Sequence, residues 1–128
     1  MQVASAFSVH LAAYKALVNQ ARGGTKSQSL HSEVIFALSG DKHIADSYRL
    51  FGPNADTRHI LVGVFNADDS TISQVRAKVK GDVVPIEDLA TLSKDADINR
   101  AYKSTEDETA SFRFDDIAIS RIGSYEFK

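Results

Sequence analysis

The sequence has no cysteine among its 128 residues, and no apolar run approaches the roughly 20 residues that a membrane-spanning helix needs. The missing cysteines exclude disulfide bonds and thiolate metal sites. The first residues are amphipathic, so they lack the short basic segment and apolar core that mark a secretory signal. We therefore expect an intracellular address.

A strong basic field is also missing, because the formal net charge is −2 at pH 7. The composition thus provides no global attraction for nucleic acid. The charge is uneven, however: residues 1–49 hold five basic and three acidic side chains, whereas residues 50–128 hold ten basic and fourteen acidic ones. The excess of two positive charges on residues 1–49 fits chance as well as function. Any contact with a polyanion is expected on this N-terminal half.

Motifs for catalysis or cofactor binding are absent as well. There is no phosphate-binding loop, no dinucleotide fingerprint and no glycine elbow around a serine. The histidines do not have the spacing of metal ligands, so we predict no catalytic residue, no metal and no cofactor. An enzyme that uses His31 with Glu33, or His43, stays open as an alternative, since His31 and Glu33 would share one face of a strand.

The N-terminal residues repeat apolar side chains with helical spacing. This pattern predicts a helix that Gly23-Gly24 ends, and it predicts that the apolar stripe is buried. The stripe consists of Val3, Phe7, Leu11, Tyr14, Val18 and Ala21.

The next stretch predicts a strand at Glu33–Ser39, a helix from Asp41 to Gly52 and a second strand at His59–Phe65. Both strand candidates are near-continuous apolar runs, the pattern of strands that are covered on both faces. A connection of this length allows the two strands to lie parallel. We therefore predict an α/β fold, a small mixed sheet covered by several helices, as a single domain over residues 1–128.

The remaining elements follow from shorter patterns. They are a helix with Ile72, Val75 and Val79 on one face, an edge strand at Asp82–Ile86, short helices around Leu89 and at Ala96–Tyr102, a mobile loop at Ser104–Ala110, and a helix from about Asp115.

The central stretch also carries a family resemblance. Its motif is an ordered set of positions: Leu30, Ser32 and Glu33, then Leu38-Ser39, then His43-Ile44-Ala45-Asp46-Ser47, then Arg49, Phe51 and Gly52, with Ile98–Lys103 further on. This set resembles the kinase-binding small subunits of the KEOPS (EKC) complex, the TPRKB-type family. That family usually has a further strand and helix before the first helix of this chain, so the resemblance implies an N-terminally shortened domain.

The resemblance implies a non-catalytic subunit that docks on the small atypical kinase/ATPase subunit of KEOPS. It implies indirect contact with the other subunits, support for threonylcarbamoyl-adenosine modification of tRNA, and help in recruiting tRNA through its 3′ CCA end. It also implies a location in nucleus and cytoplasm, with no membrane partner. A generic α/β interaction domain of another assembly is the competing interpretation.

Two sets of site residues follow. The helix predicted from Asp41 to Gly52 has apolar residues on two sides, which favours a contact beyond its own domain; the predicted kinase-binding residues are Ile44, Tyr48, Leu50 and Phe51. A tRNA end requires cations for phosphate and rings for unpaired bases. The predicted tRNA-binding residues are Arg22, Lys26, His31, Lys42, His43 and Arg49.

Overall fold

The computed structural model describes residues 1–24, 29–40 and 43–124, and over these ranges it consists of helices and connecting segments without a β-strand. The α/β prediction is therefore wrong. The helices are α1 (Ala6–Ala21), α2 (Leu30–Ser39), α3 (Ile44–Phe51), α4 (Asp69–Lys78), α5 (Leu89–Leu92), α6 (Asp95–Tyr102), α7 (Glu106–Ser111) and α8 (Phe114–Gly123), with a 3₁₀ turn at Ile86–Asp88. Among the described helices, none combines the length and the apolar character that crossing a membrane demands.

Helix α2 replaces the first predicted strand. It begins after Ser29, whose side chain accepts a hydrogen bond from the backbone N–H of Ser32 at 3.1 Å. It ends at Gly40, which adopts a left-handed conformation with φ of 63°. Phe36 and Leu38 are both buried. A helix covered on several sides shows an apolar run without a helical period, and for this reason the run resembled a buried strand.

The other two predicted strands do not form either. Residues 57–64 run without helix, turn or bend, and Ile60, Val62 and Val64 are exposed. The described residues provide no backbone hydrogen bonds to residues 58–67. The predicted edge strand ends in the 3₁₀ turn, with Val83 and Val84 exposed before it. An apolar sequence was therefore not sufficient to predict a strand in these two segments.

The hydrophobic core lies around α2, which packs against α1, α3 and α8, while α6 packs against α8. The predicted inward positions of α6 are confirmed, since Ile98, Ala101 and Tyr102 are buried. The helices predicted within residues 3–21 and 41–52, around Val75 and from about Asp115 are confirmed as α1, α3, α4 and α8. Asp41, the predicted start of the helix over residues 41–52, lies outside the described residues.

Helix α1 buries a different face from the predicted one. Phe7 and Tyr14 are exposed, whereas the small residues Ser8, Ala12 and Ala16 are fully buried. Small side chains allow α1 to lie close to both α2 and α8, so this face forms the contact. The predicted burial of the stripe is therefore wrong for Phe7, Tyr14 and Ala21, whereas Val3 is buried and Leu11 and Val18 are half-buried.

Buried hydroxyl groups connect the core helices. The Tyr102 hydroxyl donates to the carbonyl oxygen of Leu38 at 2.8 Å, which connects α6 to α2. The hydroxyls of Ser39 and Ser47 lie 2.6 Å apart and connect α2 to α3. Burial, followed by the negative charge of Asp115, raises the pKa of Tyr102 above its usual range, so this side chain stays a neutral donor.

Helix α7 occupies the segment predicted to be a mobile loop. A capping box starts it, in which Thr105 and Glu108 each bond the backbone N–H of the other. Glu108 also accepts two hydrogen bonds from the guanidinium of Arg121, at 2.8 and 2.7 Å. Because Arg121 belongs to α8, this bidentate pair attaches α7 to the helix that fills the core.

The pair gives a testable dependence of stability on pH. Hydrogen bonds from the Arg121 side chain and the Thr105 backbone lower the pKa of Glu108 from 4.5 to about 2. A carboxyl group with a depressed pKa stabilises the fold above its ordinary pKa and loses this contribution as the pH falls through the native value. We expect the melting temperature of the wild-type chain to fall between about pH 4.5 and 2, and to fall less in Glu108→Gln.

The matched control is Glu106→Gln, which removes a carboxylate from the same first turn of α7 without touching Arg121. Thermal unfolding followed by circular dichroism at several pH values measures all three chains. Parallel curves for wild type and Glu108→Gln would show that the pair does not stabilise the fold.

Candidate functional site

The first candidate surface is helix α3, which carries the predicted kinase-binding residues. Ile44 and Phe51 are half-buried and pack against the hydrophobic core, and the ring of Phe51 lies 5.7 Å from that of Tyr102. Leu50 is half-buried as well, and its carbonyl oxygen accepts a hydrogen bond from the side chain of Gln2. Of the four predicted residues, only Tyr48 is exposed, with 45% of its surface accessible.

Tyr48 is held in place from the neighbouring helix. Its hydroxyl lies 2.5 Å from the hydroxyl of Ser32 on α2. The buried Ser47 hydroxyl, next to Tyr48 along α3, bonds Ser39, also on α2, and these two contacts fix how α3 is turned on α2. Arg49 is exposed and pairs with Asp46 at 3.4 Å. The accessible part of α3 is therefore one positioned aromatic ring beside polar and charged groups, and the apolar pair faces inward.

The second candidate surface is a cleft of about 1140 Å³. Residues of α1, α2 and α6 line it together with residues 49–66, and we call this cavity the cleft. The ring of Phe65 lies edge-on against His31, with ring centres 5.8 Å apart. Val34 and Leu38 contribute an apolar floor. The cleft thus combines aromatic rings with an open, partly polar rim.

Basic side chains outnumber acidic ones around the cleft. The basic ones are Arg49, Arg58, Lys94, Arg100 and the imidazoles of His10, His31 and His59; the acidic ones are Asp56 and Asp97. Asp97 pairs with Arg100 and with the N-terminal amine. Arg58 and Lys94 form no ion pair with the residues that the structure describes. The arrangement favours an anionic ligand.

The structure separates the residues predicted to bind tRNA. His31 and Arg49 both line the cleft. Arg22 is exposed at the end of α1, and His43 is exposed before α3, but neither lines the cleft. Lys26 and Lys42 lie outside the described residues. Of the two predicted lysine or arginine cations that the structure describes, Arg22 and Arg49, only Arg49 lines the cleft.

The pair of His31 and Glu33 in the alternative enzyme interpretation does not share one face. His31 and Glu33 lie two positions apart on a helix, where side chains at this spacing point to different sides. His31 is exposed and Glu33 is fully buried, within 3.4 Å of the side-chain amide of Asn19. The predicted shared face is therefore wrong. Among the described residues, no group of His, Asp and Glu side chains is arranged to hold a metal ion.

Arg58, Lys94 and Arg100 line the cleft, but the sequence patterns did not predict them. Arg58 lies within residues 49–66, whereas Lys94 caps α6 and Arg100 lies on it, up to 42 positions away, and no motif connects them. The one local signal is Arg58-His59, a basic pair directly before the apolar run at residues 60–65. Residues 49–66, α1 and α6 line one cavity, and this shared lining brings the other basic side chains together.

A protein-family model described as "Kinase binding protein CGI-121" matches residues 2–125 of the chain. The chain is also similar to the EKC/KEOPS complex subunit TPRKB of Danio rerio, with 30% identity over 122 residues, which is 94% of this chain and 70% of the relative.

Two fungal proteins show similar likeness. The EKC/KEOPS complex subunit cgi121 of Aspergillus fumigatus is 31% identical over 121 residues, which is 88% of this chain and 64% of that protein. The subunit CGI121 of Coccidioides immitis is 28% identical over 124 residues, covering 91% and 60% respectively. The matched region thus spans between 60% and 70% of the length of these three relatives.

Proposed function

The chain belongs to the CGI-121 family of kinase-binding proteins, and we propose that it is a non-catalytic subunit of a KEOPS complex that docks on the complex's atypical kinase subunit. The observation that carries this proposal is the family match over residues 2–125. In this role the chain supports threonylcarbamoyl-adenosine modification of tRNA by binding a partner, while another subunit performs the chemistry.

Helix α3 is the proposed docking element. A protein interface is anchored by a few aromatic or apolar residues on a rigid support, surrounded by polar groups. Tyr48 fits this description, since it is exposed, held by Ser32, and flanked by the charged pair of Asp46 and Arg49. Ile44 and Phe51 support the helix from below, because both pack on the core.

The test is co-elution of the purified chain with the small kinase subunit of the same organism in size-exclusion chromatography. We expect one peak that contains both proteins at equal stoichiometry. Separate elution at micromolar concentration would contradict the proposed function, since a stable subunit contact requires at least micromolar affinity.

We propose further that the cleft helps to recruit tRNA through its single-stranded 3′ end. Unpaired nucleotides are bound by cations along the backbone and by rings that stack on the bases. The cleft offers Arg49, Arg58 and Lys94 for phosphate, and His31 and Phe65 as rings. This assignment keeps Arg49 and His31 of the six predicted tRNA residues and adds Arg58, Lys94 and Phe65, which line the same cavity.

The tRNA proposal predicts a defined salt dependence. Each phosphate contact with a single strand contributes about −0.7 to the slope of log K against log salt concentration. Arg58→Glu should weaken binding of intact tRNA and make the slope shallower by about 0.7. The measurement is fluorescence anisotropy of labelled tRNA, with and without its CCA end, over a series of salt concentrations.

The matched control is Arg76→Glu on α4, an exposed arginine that does not line the cleft. It makes the same change in net charge, so it reports the effect of charge alone. Equal losses for Arg58→Glu and Arg76→Glu, or equal binding of intact and CCA-less tRNA, would contradict the assignment to the cleft.

A further inference from the structure

The outward side of α1 carries a regular apolar stripe with no covering element among the described residues. Its members are exposed and recur at spacings of three, four, three and four. We call them the α1 seam: the apolar Phe7, Tyr14, Leu17 and Ala21, and His10, which also lines the cleft. The accessible fractions of the three large apolar side chains show that the seam faces solvent: 59% for Phe7, 63% for Tyr14 and 43% for Leu17.

This spacing is that of a helix packed against another helix. Side chains that recur every 3.5 residues on average lie on one side of a helix, where they can insert between the side chains of a facing helix. Helix α1 already uses its other side for α2 and α8. Its length, about 24 Å for 16 residues, is sufficient for a short two-helix contact.

The positions that flank the seam are uncharged. Ala6, Ala13 and Gln20 lie along one side of it. Leu11 and Val18 lie along the other side. Flanking charges normally select or reject the partner of such a helix, and α1 contains no acidic residue at all. Two identical helices can therefore approach each other here without repulsion between like charges.

We propose that the α1 seam binds the α1 seam of a second copy of this chain, with the two helices antiparallel. In the register that centres on Ala12, Phe7 packs against Leu17 of the second copy, and His10 packs against Tyr14 of the second copy. A two-fold axis repeats both contacts, so the four large seam residues are all covered.

Charges at the two ends of α1 favour the antiparallel direction. Arg22 is exposed at the C-terminal end. Asp115 lies beside the N-terminal end, where its carboxylate accepts a hydrogen bond from Ser5 at 2.5 Å, and the neighbouring Asp116 is exposed. Antiparallel pairing brings Arg22 of each copy to the acidic end of the other, which is a complementary arrangement. A parallel pair would align like charges instead.

The contact area sets the expected strength. A large aromatic side chain buries about 150–250 Å², so the exposed parts of the seam provide on the order of 400 Å² per copy. A stable interface buries about 800 Å² per partner. We therefore expect a weak, reversible dimer. This inference concerns self-association and does not depend on the proposed binding of the kinase subunit.

Because the chain has no cysteine, a single introduced thiol reports the register. In this register the two copies of Ala13 lie about 3 Å apart along the helix axis, whereas the two copies of Gln20 lie about 24 Å apart along it. Ala13→Cys should form a covalent dimer with a short bismaleimide, and Gln20→Cys should stay monomeric. Adding Tyr14→Glu to Ala13→Cys should abolish the cross-link, with the far-UV circular dichroism unchanged.

Sedimentation equilibrium of the unmodified chain provides a second measurement. We expect a dimer fraction that rises with concentration and disappears in Tyr14→Glu. A monomer at all concentrations up to about 1 mM overturns the proposal, because no weaker contact counts as binding here. Equal cross-linking of Gln20→Cys and Ala13→Cys overturns the register. Loss of kinase binding in Tyr14→Glu, with a monomeric wild type, assigns the seam to the kinase subunit and overturns it too.

Discussion

Tyr48→Glu is expected to weaken binding of the kinase subunit by about 30-fold or more, the effect of removing a central aromatic anchor from an interface. Tyr48 is the residue of the proposed α3 surface whose ring is accessible, and its hydroxyl is already held by Ser32. A carboxylate at this position would have to be desolvated against the partner. Isothermal titration calorimetry with the purified kinase subunit measures the loss.

Substitutions at the half-buried positions of α3 should act on stability first. Ile44 is half-buried against the core, so Ile44→Glu should lower the free energy of unfolding before it affects binding directly. Tyr48→Phe, which keeps the ring and removes the hydroxyl contact with Ser32, is the matched control and should retain most of the affinity. Full affinity in a folded Tyr48→Glu chain would exclude α3 as the docking surface.

Local signals in the sequence predicted helices where one face alone is covered. Helix α6 is an example, because Ile98, Ala101 and Tyr102 repeat with helical spacing and are buried. Helix α2 shows the opposite case. It is covered on several sides, so its apolar run has no period, although Ser29 and Gly40 supplied the start and stop signals of a helix. Those cap residues were better evidence than the run itself.

Side-chain size misled the assignment of buried faces. Large apolar residues such as Phe7 and Tyr14 were predicted to face the core, but the side of α1 that is buried in close helix packing carries Ala12 and Ala16. The candidate sites were hard to predict for a different reason, because they combine residues that lie far apart in the sequence. Arg58 and Arg100 reach one cleft because residues 49–66 and α6 line the same cavity, and no local pattern in the sequence encodes that arrangement.

Gly40→Ala is expected to lower the free energy of unfolding by about 3 kcal/mol, from two separate causes. Gly40 ends α2 with φ of 63°, a left-handed conformation that costs other residues about 1 kcal/mol. A methyl group there would also meet the carbonyl oxygen of Arg121 at 3.1 Å and its Cβ at 3.2 Å. Arg121 belongs to α8, whose Ile122 is fully buried, so this backbone cannot move away cheaply.

Gly23→Ala separates the two causes. Gly23 has a similar φ of 70°, and no described atom lies within 4 Å of the position that its methyl group would take. It should therefore lose about 1 kcal/mol from backbone strain alone. Urea unfolding of the three chains measures both differences at equal slopes. If Gly40→Ala loses no more than Gly23→Ala, then α2 and α8 are not in tight contact at this point.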